Sequence, residues 1–263
     1  MDKFEIREIE EILVNAFPAI EREFYDGWIL NFSNGYTYRA NAIYPFYPST
    51  YSIEKKIKHC EEQYRQSFLP VVYKMTSASG DVLDAVLESH GYRIVKYVDV
   101  MCRTLDDHEI LPIKKIDLPY EMVVMKEADD EWLDGVNQLI HIPYRSMCLV
   151  QKEIFTNIAL PIICVKVRYR GHVIGTGLGV IERHYVGLYA IHVKKAFRGQ
   201  GIAEQICIRI MEQGRKMGAD KVHLQVRRGN YSAVKMYRKL GLKRIYTQWF
   251  RMKSWPESKR IFD

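Results

Sequence analysis

The feature that most restricts this chain is an apolar, strand-like run that ends in a glycine turn and passes straight into a helix. The run is Tyr185 to Val193, the turn carries Arg198-Gly199-Gln200-Gly201, and the helix opens with Ile202-Ala203. Glycines leave the backbone of such a turn bare. The first amides of the helix, those of Gln200, Gly201, Ile202 and Ala203, have no intrahelical acceptor and point along the positive end of the helix dipole. A corner of this kind holds a phosphate, and Arg198 adds a planar cationic fork. It is not a Walker A loop, because no Lys-Ser or Lys-Thr follows the last glycine, and the third glycine of a dinucleotide fingerprint is missing.

Arg198-x-x-Gly201-x-Ala203 after a hydrophobic strand resembles motif A of the GCN5-related N-acetyltransferases (GNAT). A second signature of that family follows in order: a strand over Val222–Val226, then Asn230-x-x-Ala233-x-x-x-Tyr237 on a helix closed by Gly241. The resemblance covers residues 120 to 253. It implies an α/β (α+β) fold with a mixed, mostly antiparallel sheet flanked by helices, and acetyl-CoA as cosubstrate. By the same resemblance Arg198, Gly199, Gln200, Gly201, Ile202 and Ala203 hold the pyrophosphate. The backbone of Ile191 and Val193 pairs with the pantetheine arm, which requires the motif strand to splay from the strand at Val222. Asn230 contacts that arm or caps its helix, and Tyr237 protonates the departing sulfur or packs against Leu240 and Met236. The motif strand carries no carboxylate. Glu182 at the end of the preceding strand is the weak candidate for a base, beside His192, His141 and Tyr144.

A chain of 263 residues with 48% hydrophobic content can build two ordinary cores. No run reaches the length of a membrane span, and Asp2 to Glu11 is charged where a secretory signal is apolar, so a cytoplasmic protein is expected. Cys60, Cys102, Cys148, Cys164 and Cys207 are scattered without a Cys-x-x-Cys pair and suggest neither disulfides nor a metal site. The net charge of +7 is mild and its residues are interleaved with acidic ones. A polyanionic ligand near Lys194, Lys195, Arg198, Arg227 and Arg228 accounts for it as well as a solvated basic face does, and nucleic acid is disfavoured as a partner.

The first half predicts a helix over residues 4–16 and strands over Trp28–Phe32 and Tyr36–Tyr44, joined by a hairpin turn at Ser33-Asn34-Gly35. A helix over Ile53–Gln66, a strand over Val71–Met75, a helix over Asp81–Ser89 and a strand over Tyr92–Arg103 follow. At an offset of 150 positions this order falls on that of the second half, with Gly91 on Gly241. The expectation is an internal duplication: a degenerate GNAT-like domain over 1–110, a linker near Asp106–Pro119, and an acetyltransferase domain over 119–263. In the first half Pro48, Tyr51 and Ile53 replace Arg198, Gly201 and Ala203, and Gly80 and Leu87 replace Asn230 and Tyr237, so that half is expected not to use coenzyme A. Trp28, Arg39, Tyr44 and Tyr47 line an acceptor cleft or belong to its core.

The reading of function is therefore an acetyl-CoA-dependent N-acetyltransferase acting on a small-molecule or peptide amine, as monomer or homodimer. A non-catalytic acetyl-CoA-binding regulatory module is the alternative. A transferase using aminoacyl-tRNA is a third class, disfavoured because it needs no coenzyme A turn.

Overall fold

The computed structural model describes residues 1–105 and 119–262. The expected linker, Pro119 apart, lies outside the described residues. The elements are α1 (Lys3–Asn15), β1 (Glu21–Tyr25), β2 (Trp28–Phe32), β3 (Ile43–Pro45), α2 (Ile53–Gln66), β4 (Val71–Met75), α3 (Asp81–Ser89), β5 (Arg93–Thr104), β6 (Glu121–Met125), α4 (Asp130–Ile140), α5 (Arg145–Thr156), β7 (Ile162–Tyr169), β8 (His172–Glu182), β9 (Tyr185–Val193), α6 (Ile202–Lys216), β10 (Lys221–Arg227), α7 (Tyr231–Lys239) and β11 (Lys243–Lys253). They form two compact α/β units, one of Met1–Asp99, Leu149–Ile154 and Tyr246–Asp263, the other of Val100–Cys148 and Phe155–Ile245.

In the first unit α1 starts on a capping box, Asp2 accepting the Glu5 amide while the Glu5 carboxylate accepts that of Asp2. Its Ile6, Ile9, Ile12 and Leu13 are buried at helical spacing. The strands lie in the order β1-β2-β3-β4-β11. The hairpin turn is at Asp26-Gly27, with φ of 44° and 82°, a two-residue turn whose twist suits the strands. It adds to the turn expected at Ser33-Asn34-Gly35, which also forms, with φ of 50° and 82° at Asn34 and Gly35 and the Tyr36 amide donating to the Ser33 carbonyl at 2.8 Å. Beyond that turn β2 pairs antiparallel with β3, and what is corrected is the strand expected over Tyr36–Tyr44. There the Asn41 side chain accepts the amides of Ser33 (2.8 Å) and Gly35 (3.0 Å) and donates to the carbonyls of Tyr36 and Thr37 (2.8 Å each). An Asn that supplies four backbone partners replaces the ladder with a folded loop, and only β3 remains as strand. Trp28 and Tyr44 lie in the core, while the Tyr47 hydroxyl donates to Glu11 and the Arg39 guanidinium covers the Phe17 ring.

The last strand of the chain completes this first sheet. Trp249–Lys253 of β11 pair antiparallel with Met75–Val71 of β4, and the buried Arg251 grips the Asp84 carboxylate through Nε and Nη2, both at 2.7 Å. In the second unit the strand order is β10-β9-β8-β7-β6, and β10 has β5 on its other side. There the Leu105 amide donates to Asp220 (2.7 Å), and Arg103 Nη1 donates to the Leu240 carbonyl (2.7 Å). Arg251 Nη1 likewise donates to the Tyr92 carbonyl (3.0 Å) just past Gly91, so the helix-glycine corner of each unit meets an arginine from the strand completing the sheet. The spacing expected between halves recurs in the elements: β4 and β10, α3 and α7, and β5 and β11 each begin 150 residues apart, at Val71 and Lys221, Asp81 and Tyr231, Arg93 and Lys243.

In the second unit α6 packs on β8 through Ile202, Ile206 and Ile210, one above another at i, i+4 and i+8. β8 meets them with Gly175, Gly177 and Gly179, the alternate positions that share a face. A Cβ at Gly177 would stand 2.2 Å from Ile206 Cγ2 and 3.0 Å from Ile191 Cδ1. The stripe therefore sets how closely the phosphate-turn helix approaches the sheet. Gly177→Ala is expected to overpack this contact and cost about 1–3 kcal/mol, read as a lower urea midpoint with an unchanged m-value; an unaltered midpoint contradicts the close-approach account.

Candidate active site

β9 and β10 run parallel and pair only from Tyr185–Leu188 against Lys221–Leu224. Beyond that rung they no longer pair with each other: β9 runs on beside β8 to Val193, and β10 runs on to Arg227. The parting has a local cause in β9. Against β8, His192 pairs with Thr176 and Tyr189 with Leu178, so Ala190 and Ile191 together face Gly177 in a bulge. Ala190 takes φ of 48° there, a left-handed conformation that costs a residue with a Cβ about 1–2 kcal/mol. The buried Thr176 hydroxyl holds it by donating to the Ala190 carbonyl at 3.1 Å.

The gap between the strands opens onto the start of α6. The chain leaves β9 through a short 3-10 turn, Lys195–Phe197, and reaches Gly199 (φ 77°) and Gly201 (φ 91°). Gly201 is the N-cap, and no side chain caps the helix, so its first-turn amides face outward. A Cβ at Gly199 would meet nothing within 4 Å. Arg198 donates from Nε to the Val193 carbonyl (2.9 Å), which fixes its guanidinium at the turn.

A cleft of about 470 Å³ lies at this junction, lined on the β9 side by Ile191, His192 and Val193, and at the turn by Phe197, Arg198, Gly199, Gly201, Ile202, Ala203 and Glu204. Its other wall is α7 with Asn230, Ser232, Ala233, Met236 and Tyr237. The Asn230 side chain accepts the Ala233 amide at 3.3 Å and so caps α7. Tyr237 is 8% exposed, and burial, followed by the nearby Cys207, drives its hydroxyl far above the ordinary tyrosine range. A phenol so placed keeps its proton throughout the working pH of an enzyme.

Of the residues singled out from sequence, Gln200 sits in the turn without lining the cleft. Glu182 is not part of the assembly. It closes the opposite end of β9, paired with Tyr185 and 3.9 Å from Arg183, while eight residues of extended strand carry the chain about 26 Å to Val193. His141 ends α4 in a left-handed cap and Tyr144 is exposed. Phe197, Glu204, Ser232 and Met236 were not anticipated as site residues. Phe197, Glu204 and Met236 are chain neighbours of Arg198, Ala203 and Tyr237, and Ser232 lies two positions after the cap Asn230. Glu204 brings a carboxylate into the first turn of α6, and Lys239 neutralises it at 2.6 and 2.9 Å.

Beneath the last shared rungs of β9 and β10 lies His223, fully buried, and neither ring nitrogen has a partner among the described residues. Burial pushes its pKa down to about 4. The unfolded chain takes up the proton near 6.5, so stability is full above that pH and falls as pH drops from 6.5 towards 4. Urea denaturation is expected to lose about 2 kcal/mol more between pH 7 and 4.5 in the wild type than in His223→Leu; equal losses contradict the assignment.

The match to known proteins agrees with this geometry. A model of the family described as probable histone acetyltransferase Rv0428c C-terminal matches residues 4–248. The uncharacterized N-acetyltransferase YobR of Bacillus subtilis (strain 168) is 26% identical over 254 residues, 95% of this chain and 99% of that protein. Among solved structures, a GCN5-related N-acetyltransferase from Kribbella flavida superposes with a TM-score of 0.68 at 15% identity, covering 95% of this chain and 94% of that one. A tandem GNAT protein from the clavulanic acid biosynthesis pathway, solved without acetyl-CoA, does so with a TM-score of 0.63 at 14% identity, covering 76% of this chain and 69% of that one. No helix among the described residues is long and apolar enough to cross a membrane.

Proposed function

The chain belongs to the family of the Rv0428c C-terminal acetyltransferase, within the GCN5-related N-acetyltransferases, and on that premise we propose that it carries acetyl from acetyl-CoA to an amine in the cleft between β9 and α7. The observation that carries the reading is the parting of β9 from β10 above an uncapped, glycine-started helix, with a protonated tyrosine on the facing wall. Bare glycines, outward amides and Arg198 suit a diphosphate. The free edge of β9 at Ile191 and Val193 suits an amide-bearing arm lying beside it as an added strand.

The thioester supplies an activated acyl carbon and a leaving thiolate. The β9 edge and the α6 turn hold that carbon still, which removes the entropy cost of a bimolecular encounter. A neutral amine attacks, the C–N bond forms, the C–S bond breaks, and the Tyr237 hydroxyl delivers a proton to sulfur; the amine's surplus proton passes to water, and water returns a proton to the Tyr237 oxygen. Glu182 takes no part. Lys239 keeps Glu204 from opposing the ligand's phosphates. The acceptor is a small-molecule or peptide amine; the histone acetyltransferase in the matched family's description makes peptide lysines one class to include.

The domain reading belongs to the same proposal. Two acetyltransferase-like repeats, 1–110 and 119–263, would arise by duplication and complete each other's sheets with their final strands, and only the second keeps a cosubstrate turn.

A titration calorimeter and a free-thiol assay against a pooled amine and peptide set test the reading together. The wild type is expected to bind acetyl-CoA and release thiol with some amine, Gly201→Tyr to lose binding, and Tyr237→Phe to bind as before while turnover falls about 10²-fold or more. Binding without turnover of any amine would favour a regulatory module, and no binding at all would refute the proposal.

A further inference from the structure

The first unit contains a revealing variant of the same turn. Between β3 and α2 the amides of Thr50 and Tyr51 stand just before the N-cap Ser52, as those of Gly199 and Gln200 stand before the N-cap Gly201. They are already occupied. The Asp26 carboxylate accepts the Thr50 amide (2.9 and 3.0 Å), the Tyr51 amide (2.9 Å) and the Thr50 hydroxyl (2.7 Å). Lys56 Nζ stands 3.4 Å away. Burial would raise the Asp26 carboxyl, but these bonds hold it well below the usual carboxylate range. An internal anion fills the turn.

Asp26 reaches that place because it is the first residue of the two-residue β1–β2 turn, and that turn abuts the loop: the Tyr47 amide donates to the Gly27 carbonyl at 3.0 Å. The second unit has the same arrangement. There β7 and β8 are joined by Arg170-Gly171, with φ of 49° and 77° against 44° and 82° at Asp26-Gly27. This hairpin also abuts its turn, since the Tyr169 ring meets that of Phe197 edge-on at 5.4 Å, and Phe197 lines the cleft. The position that holds a carboxylate in the first unit therefore holds an arginine in the second. Arg170 is exposed and lies over Tyr169, its guanidinium carbon 5.2 Å from the ring centroid. An anion bound on the α6 amides gives that guanidinium the partner that Asp26 gives itself to the α2 turn.

We propose that Arg170 is a further cosubstrate-binding residue, reaching from the β7–β8 hairpin to a phosphate group of the coenzyme A moiety. The inference rests on the acetyl-CoA reading above. It also gives the charge change at this hairpin a role: the acidic version closes a turn from inside, and the basic version leaves it open to a phosphate and helps hold it.

Calorimetric titration of the full chain at low ionic strength tests this, with acetyl-CoA, coenzyme A and dephospho-CoA as probes. Arg170→Asp, which copies the first unit's residue, is expected to weaken acetyl-CoA binding about tenfold or more, Arg170→Ala by less, and both losses to shrink as salt is raised. Arg183→Asp makes the same charge change at the other end of β8 and is expected to bind as the wild type does. A loss that persists with dephospho-CoA identifies the diphosphate as the partner; a loss seen with acetyl-CoA and with coenzyme A but not with dephospho-CoA identifies the 3′-phosphate. Equal binding by Arg170→Asp and wild type, or an equal loss in Arg183→Asp, overturns the role of Arg170. Failure of the wild type itself to bind acetyl-CoA overturns the acetyl-CoA reading, and Arg170's role with it. Melting curves without ligand verify that the variants fold.

Discussion

Everything at the site depends on one parting of strands. Buried backbone donors and acceptors must find partners, so two adjacent parallel strands separate only where something prevents their ladder from continuing. Here that something is the bulge at Ala190–Ile191, held by Thr176 and seated over Gly177. The same glycine face lets Ile202, Ile206 and Ile210 bring α6 close to the sheet. One local irregularity thus frees a strand edge and sets the helix start beneath it. The strain at Ala190 is small beside the apolar core that holds it, which runs from Val165 and Val167 through Ile206 and Ile210 to Leu224.

The two units use a common frame for opposite ends. In the second, the turn amides have no side-chain cap and open onto a cleft that Tyr237 and Arg198 also line. In the first, the corresponding turn amides are consumed internally, because Asp26 takes them. The first unit also buries Lys74 against Glu10 at 2.5 Å, with the Tyr246 hydroxyl donating to the same carboxylate at 2.6 Å. A buried pair satisfied in this way is costly to break and adds specificity more than net stability. Such contacts suit a scaffold, whereas the second unit's open turn suits a site.

Most of this was legible in the chain because local chemistry and tertiary fold agree. Helices over Ile53–Gln66 and Asp81–Ser89 and strands over Val71–Met75 and Tyr185–Val193 carry caps, periods and glycine stops that point one way, and they form where expected. Asn34-Gly35 turns the chain as expected, but the strand after it starts only at Ile43, because the Asn41 clamp that folds residues 36–42 into a loop is a tertiary contact. Glu182 lies near the motif strand in sequence, but it sits at the turn of the β8–β9 hairpin, whereas Val193 lies at the hairpin's open end, beside Gly175. The completion of each sheet by a strand from the other half was not legible, since β5 and β11 present the same pattern wherever they pair.

The central claim is that the amides at the start of α6 and along the free edge of β9 are the ligand's partners, while those at Thr50 and Tyr51 are already satisfied from within. Hydrogen exchange with and without acetyl-CoA tests it most directly. The account predicts slowed exchange at Gly199–Ala203 and at Ile191 and Val193, with no change at Thr50 and Tyr51. Protection that appears at Thr50 and Tyr51, or fails to appear at the start of α6, would contradict it.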